Sequence, residues 1–188
     1  MRILSCVLTI LGLVFGAAIA PISASNPVIL VSVPDQKLVL MQDGLRLAQY
    51  SVSTSKFGVG DRPRSYATPL GTMEVAEKIG DHAAVGAVFK SRRPTGEVIR
   101  PNAPGRDPIV TRILHLRGLD GCNARAYDRG IYIHGTPEES KIGRPASYGC
   151  IRMRSCDVVR LFDVVPLRTR IEVINQPLSR AFRELAAN

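Results

Sequence analysis

The stretch HGTPEESKIGRPASYGCIRM, residues 134–153, decides how the rest of this chain is interpreted. It begins with His134, one of three histidines in 188 residues, and Cys150 lies three residues before its end. The glycines and prolines between them indicate a loop that folds back and brings the imidazole and the thiol together. Gly149 lets the backbone turn tightly immediately before the thiol. Because a thiol reacts as its thiolate and needs a nearby base, this pattern predicts nucleophilic Cys–His catalysis.

The segments around this stretch predict a mainly β fold, a sandwich or barrel. Residues 27–54 contain alternating apolar runs interrupted by Asp43-Gly44, which is a hairpin signal. Residues 71–79, 111–119 and 129–136 are further strand-like runs rich in branched and aromatic side chains. One sizeable helix is expected, and it follows Cys150.

That helix has clear sequence signals. Ser155 is the expected N-cap, Asp157 lies in the first turn, and Pro166 is expected to end the helix. The apolar face consists of Val158, Val159, Leu161, Phe162 and Val165. We therefore expect the backbone amides around residues 148–150 to lie near a helix start, where a thiolate or an oxyanion is stabilised. Residues 176–188 form a C-terminal tail whose sequence is compatible with a short helix.

The first 25 residues have the order of a secretory signal peptide. Arg2 supplies a positive start, an apolar run follows, and small residues at Ala24 and Ser25 favour cleavage there. The alternative is an uncleaved anchor, through which the protein would make transient contact with the inner membrane. Either way the sequence predicts an exported protein of the periplasm or cell wall, with one domain after the signal.

Composition narrows the classes of partner. The formal net charge is +9, which suits any anionic polymer or surface. Aromatic residues are only 5% of the chain, tryptophan is absent and the arginines are scattered, so no nucleic-acid partner is expected. No cluster has metal-ligand spacing and no glycine-rich phosphate motif occurs, so neither a metal nor another cofactor is predicted.

Cysteine usage points away from a disulfide scaffold. Cys6 belongs to the signal segment, which leaves Cys122, Cys150 and Cys156, an odd number in an exported chain. At least one thiol is then free, or pairs between molecules. A disulfide between Cys122 and Cys156 is a minor alternative.

Three motifs in the right order resemble the L,D-transpeptidase catalytic domain, the YkuD family. They are HGT (134–136) with SYGCIRM (147–153), ATPLGTM (67–73), and the opening strands VSVPDQKLVLMQDG (31–44). The resemblance covers residues 27–175 and implies an L,D-transpeptidase-like β-sandwich or barrel.

The resemblance also implies catalytic roles. Cys150 is the nucleophile, His134 is the proton donor and acceptor, and the backbone carbonyl of Gly135 orients the imidazole. The backbone amides of Tyr148, Gly149 and Cys150 are the oxyanion donors.

Two of the three residues predicted to contact the substrate have a structural role as an alternative. Arg152, Ser147 and Tyr148 are the predicted substrate-binding residues. A salt bridge that holds the loop is the equal alternative for Arg152, and a local hydrogen bond that shapes the turn is the alternative for Ser147. His115 is expected to be a satisfied core or surface histidine, with the cleft as its alternative.

The implied reaction uses the stem peptides of peptidoglycan. Cys150 attacks a stem tetrapeptide, forms a thioester and transfers the acyl group to an acceptor amine, giving a 3→3 cross-link or attachment to a protein. A hydrolase of the same fold, an L,D-carboxypeptidase or amidase, is one alternative. A non-catalytic wall-binding module is another, because Tyr148 stands where the family usually has His. The basic segment 80–110 is predicted to cover the cleft.

Overall fold

The computed structural model describes residues 25–186. The predicted signal peptide lies outside the described residues except for its last position, Ser25. No helix in this range is long and apolar enough to cross a membrane.

Strands dominate the described range, and the two α-helices come late in it. The elements are β1 (Val28–Ser32), β2 (Lys37–Gln42), β3 (Leu45–Ser51), β4 (Gly71–Ile79), β5 (Ala87–Lys90), β6 (Arg93–Val98), β7 (Ile109–Gly118), β8 (Tyr132–Gly135), β9 (Ile151–Met153), α1 (Ser155–Val164), β10 (Arg170–Ile174) and α2 (Leu178–Ala186).

The strands form one mixed sheet that branches at β7. The main path runs β3-β2-β1-β10-β4-β7-β5-β6, and β8 pairs with β7 and carries β9 on its other side. Among the strand pairs of residues 25–186, β1–β10 and β8–β9 are parallel and the others are antiparallel. The mainly β prediction is thereby confirmed.

A bridge from the end of β3 to β9 closes the strands β3-β2-β1-β10-β4-β7-β8-β9 into a ring, from which β5 and β6 extend. Ser53, just beyond β3, pairs with Arg152 of β9. Each amide donates to the other residue's carbonyl oxygen at 2.9 Å. Closure of this kind leaves β9 with a partner on both edges, so its three residues are held in a fixed position.

One hydrophobic core fills the ring. Its side chains come from α1 and from the strands β1, β2, β4, β7, β8, β9 and β10. Ile29, Met73, Leu114 and Leu161 are all fully buried. A smaller apolar layer forms between the outer face of the sheet and α2, where Leu178 and Ala181 pack against Leu30 and Val39.

The tight turns follow the local sequence signals. Asp43 and Gly44 connect β2 to β3 with φ of 50° and 76°, the left-handed backbone that a two-residue hairpin requires. The predicted strands at 71–79, 111–119 and 129–136 correspond to β4, β7 and β8.

Helix α1 differs from the prediction at its start. The N-cap is Arg154, and Ser155 is already the first helical residue, where its amide donates to Glu139 Oε1 at 2.8 Å. The expectation that residues 148–150 adjoin a helix start is wrong, because β9 lies between them and α1.

Lys78 ties β4 to the end of α1. Its ammonium donates to the carbonyl oxygens of Phe162 at 2.6 Å and Val165 at 2.8 Å, and lies 4.4 Å from the centre of the Phe162 ring. The last carbonyls of a helix lack partners within the helix and carry partial negative charge, so a cation there stabilises the helix end.

We predict that Lys78→Met destabilises the fold, although the methionine retains most of the apolar stem. Loss of two charge-assisted hydrogen bonds should lower the free energy of unfolding by about 2 kcal/mol. Urea denaturation followed by circular dichroism measures this, with exposed Lys90 changed to Met as the control. Equal stability of the two variants would show that Lys78 does not hold the helix end.

Candidate active site

The pairing of β8 with β9 places His134 and Cys150 on the same side of the sheet. Ile133 is opposite Ile151 and His134 is opposite Arg152 in this parallel pair. Both isoleucines are fully buried in the core. Because side chains alternate along a strand, His134 and Arg152 point to the other face, and Cys150 lies two residues before Arg152. The loop between residues 135 and 150 therefore folds back as predicted.

The His134 imidazole is buried and its orientation is fixed by the next residue. Its Nδ1 lies 2.8 Å from the backbone oxygen of Gly135, and only 5% of the residue is exposed. A carbonyl oxygen can only accept, so Nδ1 carries the proton and Nε2 remains an acceptor. Burial lowers the pKa of His134 from 6.5 to about 4, with a smaller contribution from the Arg152 charge. The imidazole is neutral at neutral pH.

The Cys150 thiol is also uncharged at neutral pH. Burial raises its pKa from 9.0 to about 11, against the opposing effects of the Tyr132 amide and the Arg152 and Arg129 charges. The Sγ atom donates to the Gly130 carbonyl oxygen at 3.3 Å. With both groups neutral, the arrangement suits proton transfer to His134 during attack, not a preformed ion pair.

The turn before the nucleophile presents two free backbone amides. Within residues 25–186, the amides of Tyr148 and Cys150 donate to no protein acceptor, whereas the Gly149 amide donates to Ser147 Oγ at 3.2 Å. Two of the three predicted oxyanion donors are therefore available, and the third is engaged within the turn.

Glycine is required at position 149. Its φ is +118°, a conformation that side chains disfavour, and an added Cβ would lie 3.2 Å from Ile131 Cδ1 and 3.3 Å from the Ala67 oxygen. A larger residue would be strained at this φ and would crowd the Ile131 side chain and the Ala67 carbonyl group.

Ser147 shapes the turn from inside. It is fully buried, and its hydroxyl donates to the Cys150 carbonyl oxygen at 2.5 Å. Its predicted contact with substrate is not supported, because no part of the side chain reaches the surface.

Arg152 is held by two carboxylates. Its guanidinium lies 2.5 Å from Asp107 and 3.5 Å from Glu138, and only 7% of the residue is exposed. Asp107 also accepts from the Thr136 hydroxyl at 2.5 Å. These contacts favour the structural alternative for Arg152, and a role in substrate binding stays a prediction.

Tyr148 is the exposed member of the motif. The residue is 54% exposed, and its hydroxyl lies 3.0 Å from Lys56 Nζ. The neighbouring ammonium holds the pKa of the Tyr148 phenol below its usual 10.0. The ring is therefore placed where a substrate can reach it.

The remaining histidine and cysteine candidates lie elsewhere. His115 is fully buried, with Nε2 3.0 Å from the Tyr127 oxygen and its ring stacked on Tyr127 at 4.1 Å. It is a satisfied core histidine. Cys122 and Cys156 are exposed free thiols, so a disulfide between them is not formed.

The segment 80–110 forms the β5–β6 hairpin and a loop that contacts the stretch between His134 and Cys150. The Asn102 amide donates to the Pro137 oxygen at 2.6 Å, and the Asn102 side chain accepts from the Ser140 amide at 2.8 Å. The loop also supplies Asp107, which the sequence reasoning missed. That the segment covers the cleft during turnover remains a prediction.

Thr68 is a second residue that sequence reasoning did not assign, although it lies in the quoted ATPLGTM motif. It is fully buried, its hydroxyl donates to the Gly149 carbonyl oxygen at 3.0 Å, and it accepts from the Ser55 amide at 3.0 Å. Thr68 thus connects the loop after β3 to the nucleophile turn.

We predict that Thr68→Val loosens this turn although the side-chain shape is kept. The Ser55 amide and Gly149 oxygen would be left buried without a partner, which should cost about 2 kcal/mol of unfolding free energy. Thermal denaturation measures the loss, and alkylation of Cys150 by iodoacetamide measures the accompanying exposure of the thiol. Thr95→Val, on the exposed β5–β6 hairpin, is the control. Unchanged stability and alkylation in Thr68→Val would contradict the assignment.

Comparisons with known proteins agree with this geometry. The family model of the L,D-transpeptidase catalytic domain, YkuD, matches residues 26–173. A Bacillus subtilis protein named "Putative L,D-transpeptidase YqjB" is 29% identical over 162 residues, covering 86% of this chain and 77% of its own.

Solved structures share the fold. An L,D-transpeptidase from Mycobacterium smegmatis superposes with a TM-score of 0.52 at 18% identity, covering 80% of this chain and 59% of that one. The Xylanimonas cellulosilytica enzyme gives 0.52 at 22% identity, with coverages of 82% and 63%. This chain thus spans about three fifths of each of those two. Because the family model matches nearly all the described residues, the chain belongs to the YkuD family of L,D-transpeptidase catalytic domains.

Proposed function

We propose that this protein is an exported L,D-transpeptidase that acts on peptidoglycan stem peptides in the periplasm or cell wall. Family membership supports transpeptidation as the class of reaction. The observation that carries the mechanism is the bond from His134 Nδ1 to the Gly135 oxygen, because it leaves Nε2 as a base on the same face as Cys150.

The first step is acylation of Cys150 by the donor stem tetrapeptide. His134 Nε2 takes the thiol proton while sulfur attacks the carbonyl carbon of the third residue. The free amides of Tyr148 and Cys150 stabilise the oxyanion. The carbon–nitrogen bond to D-alanine then breaks, the leaving nitrogen receives the proton from His134, and a thioester remains.

The second step is transfer to an acceptor amine. The amine attacks the thioester carbon and gives up a proton to His134, after which the carbon–sulfur bond breaks and Cys150 recovers its proton. The product is a new amide, either a 3→3 cross-link to a second stem or an attachment to a protein. Water in place of the amine would give hydrolysis.

Incubation of the domain with purified tetrapeptide muropeptides tests the function, with mass spectrometry as the readout. Cross-linked dimers are expected from the wild type and absent from Cys150→Ala. Trimmed monomers alone would establish the hydrolase alternative. Wild-type protein that forms neither product, yet sediments with cell-wall sacculi, would establish the binding module.

Acylation by a carbapenem tests the two catalytic residues. A strained β-lactam amide should acylate Cys150 and leave a stable mass adduct, because the thiol and the base are sufficient for the first step. We expect Cys150→Ala to abolish the adduct and His134→Gln to slow its formation by about 100-fold or more. Cys156→Ala, which removes an exposed thiol outside the site, should behave as wild type. An adduct that persists in Cys150→Ala would refute the assignment.

The pH dependence of acylation follows from the pKa of His134. Only the neutral imidazole accepts a proton, and its pKa in the folded protein is about 4. The rate should therefore hold as the pH falls through 6.5, the ordinary histidine value, and decline only as it approaches about 4. The second-order rate constant for the carbapenem gives the profile, with circular dichroism to show that the fold persists. A decline centred near pH 6.5 would contradict the buried neutral imidazole.

A further inference from the structure

Three exposed aromatic side chains meet beside the nucleophile turn. Phe57, Tyr66 and Tyr148 have ring centroids 5.5–5.9 Å apart, and each is more than half exposed. Together we call them the aromatic corner. Large aromatic side chains are mostly at least partly buried, and a contiguous exposed group of them marks a contact surface.

The aromatic corner is attached to the catalytic turn through the backbone. The Lys56 amide donates to the Ser147 oxygen at 3.2 Å, and Ser55 forms a parallel bridge with Ser147. Tyr148 itself lies two residues before Cys150. The corner is therefore held at a fixed place beside the turn that precedes Cys150.

Lys56 adds an uncompensated positive charge to this surface. Its Nζ donates to Tyr148 Oη at 3.0 Å and lies 4.3 Å from the centre of the Tyr148 ring and 5.3 Å from that of Phe57. Cation–π contacts of this kind fix the ammonium over the rings. Among residues 25–186, no carboxylate lies within salt-bridge distance of Lys56, whereas Arg152 on the other side of the turn has two.

We propose that the aromatic corner and Lys56 form the binding subsite for the acceptor peptide. A carboxylate of that peptide pairs with the Lys56 ammonium, and an apolar part of it packs on the rings. This inference rests on the proposed function and identifies the residues that bind the acceptor substrate of the second step.

Two features favour a peptide acid over a glycan strand. N-acetylated sugars carry no charge for Lys56 to bind, whereas stem peptides carry carboxylates. The rings are also tilted by 43°, 47° and 87° to one another, so they offer an angled surface and not one flat face for a sugar ring.

The charge on Lys56 also suits the acceptor more than the donor. The third residue of the donor stem has its carboxyl group tied up in the amide that Cys150 attacks, whereas an acceptor stem that ends at this residue keeps a free carboxylate for Lys56 to bind. The exposed corner is moreover open to solvent, from which the acceptor must arrive after D-alanine has left.

The test compares Lys56→Met with Lys37→Met, an exposed lysine on β2. The acceptor is a stem tripeptide ending in diaminopimelate, which cannot act as donor, prepared with free or amidated carboxylates. We expect Lys56→Met to raise the KM of the free-acid acceptor about fivefold, in keeping with one solvent-accessible ion pair. Amidation should have the same effect on the wild type and no further effect on Lys56→Met. Carbapenem acylation should be unchanged in both variants.

Direct binding separates this inference from the proposed function. Calorimetric titration of the tripeptide into Cys150→Ala protein should show weaker binding, again about fivefold, when Lys56→Met is added. Weaker binding in the Lys56→Met protein supports the subsite whether or not cross-linked dimers form. Absence of dimers would count against the proposed function but not against the subsite. Equal affinity and equal KM with and without Lys56 would overturn the subsite.

Two further outcomes would also overturn it. A parallel loss of carbapenem acylation in Lys56→Met would place Lys56 on the donor side. Binding of N-acetylglucosamine oligomers that is weakened by Phe57→Ala or Tyr66→Ala, with no effect of Lys56→Met, would identify the corner as a glycan surface.

Discussion

The parallel pairing of β8 with β9 is the constraint on which the rest of the site depends. Three residue pairs fix it, and the fully buried pair Ile133 and Ile151 anchors it in the core. Apolar burial on one face of the pair fixes which side chains occupy the other, because a one-residue slip would move His134 into the core. The bridge between Ser53 and Arg152 then closes the ring and holds the short β9 strand from its free edge.

Electrostatically, the site is built from neutral reactive groups next to a compensated charge. Burial favours the uncharged forms of both His134 and Cys150. Arg152, whose charge lowers the pKa of both groups, is itself paired with Asp107 and Glu138, so its charge is partly compensated. A base and a nucleophile that are both neutral at rest avoid the cost of burying an ion pair, and charge develops only during attack, when the free amides can stabilise it.

The two sides of the nucleophile turn differ in character. On one side, residues 100–107 and 136–141 form a network of hydrogen bonds and salt bridges around Arg152, in which the polar groups satisfy one another. On the other side, the loop after β3 is tied to the turn by Thr68 and Ser55, and it presents exposed rings and the Lys56 ammonium. The first side supports the turn, and the second is open to a ligand.

The sequence alone determined the mainly β fold, the hairpin at Asp43-Gly44 and the return of the chain from His134 to Cys150. Each is local: alternation of apolar residues, left-handed turn residues and a glycine- and proline-bearing loop act over a few positions. The family motifs added the assignment of nucleophile and base. Tertiary structure decided what depends on distant partners. Asp107 approaches Arg152 and Thr68 reaches Gly149 only because the ring closes, and Ser147 is buried for the same reason. The neutral state of the thiol and imidazole likewise comes from burial, and the meeting of Phe57 and Tyr66 with Tyr148 joins segments some eighty residues or more apart in the chain. Sequence patterns record local propensity, whereas burial and long-range contact are properties of the folded chain.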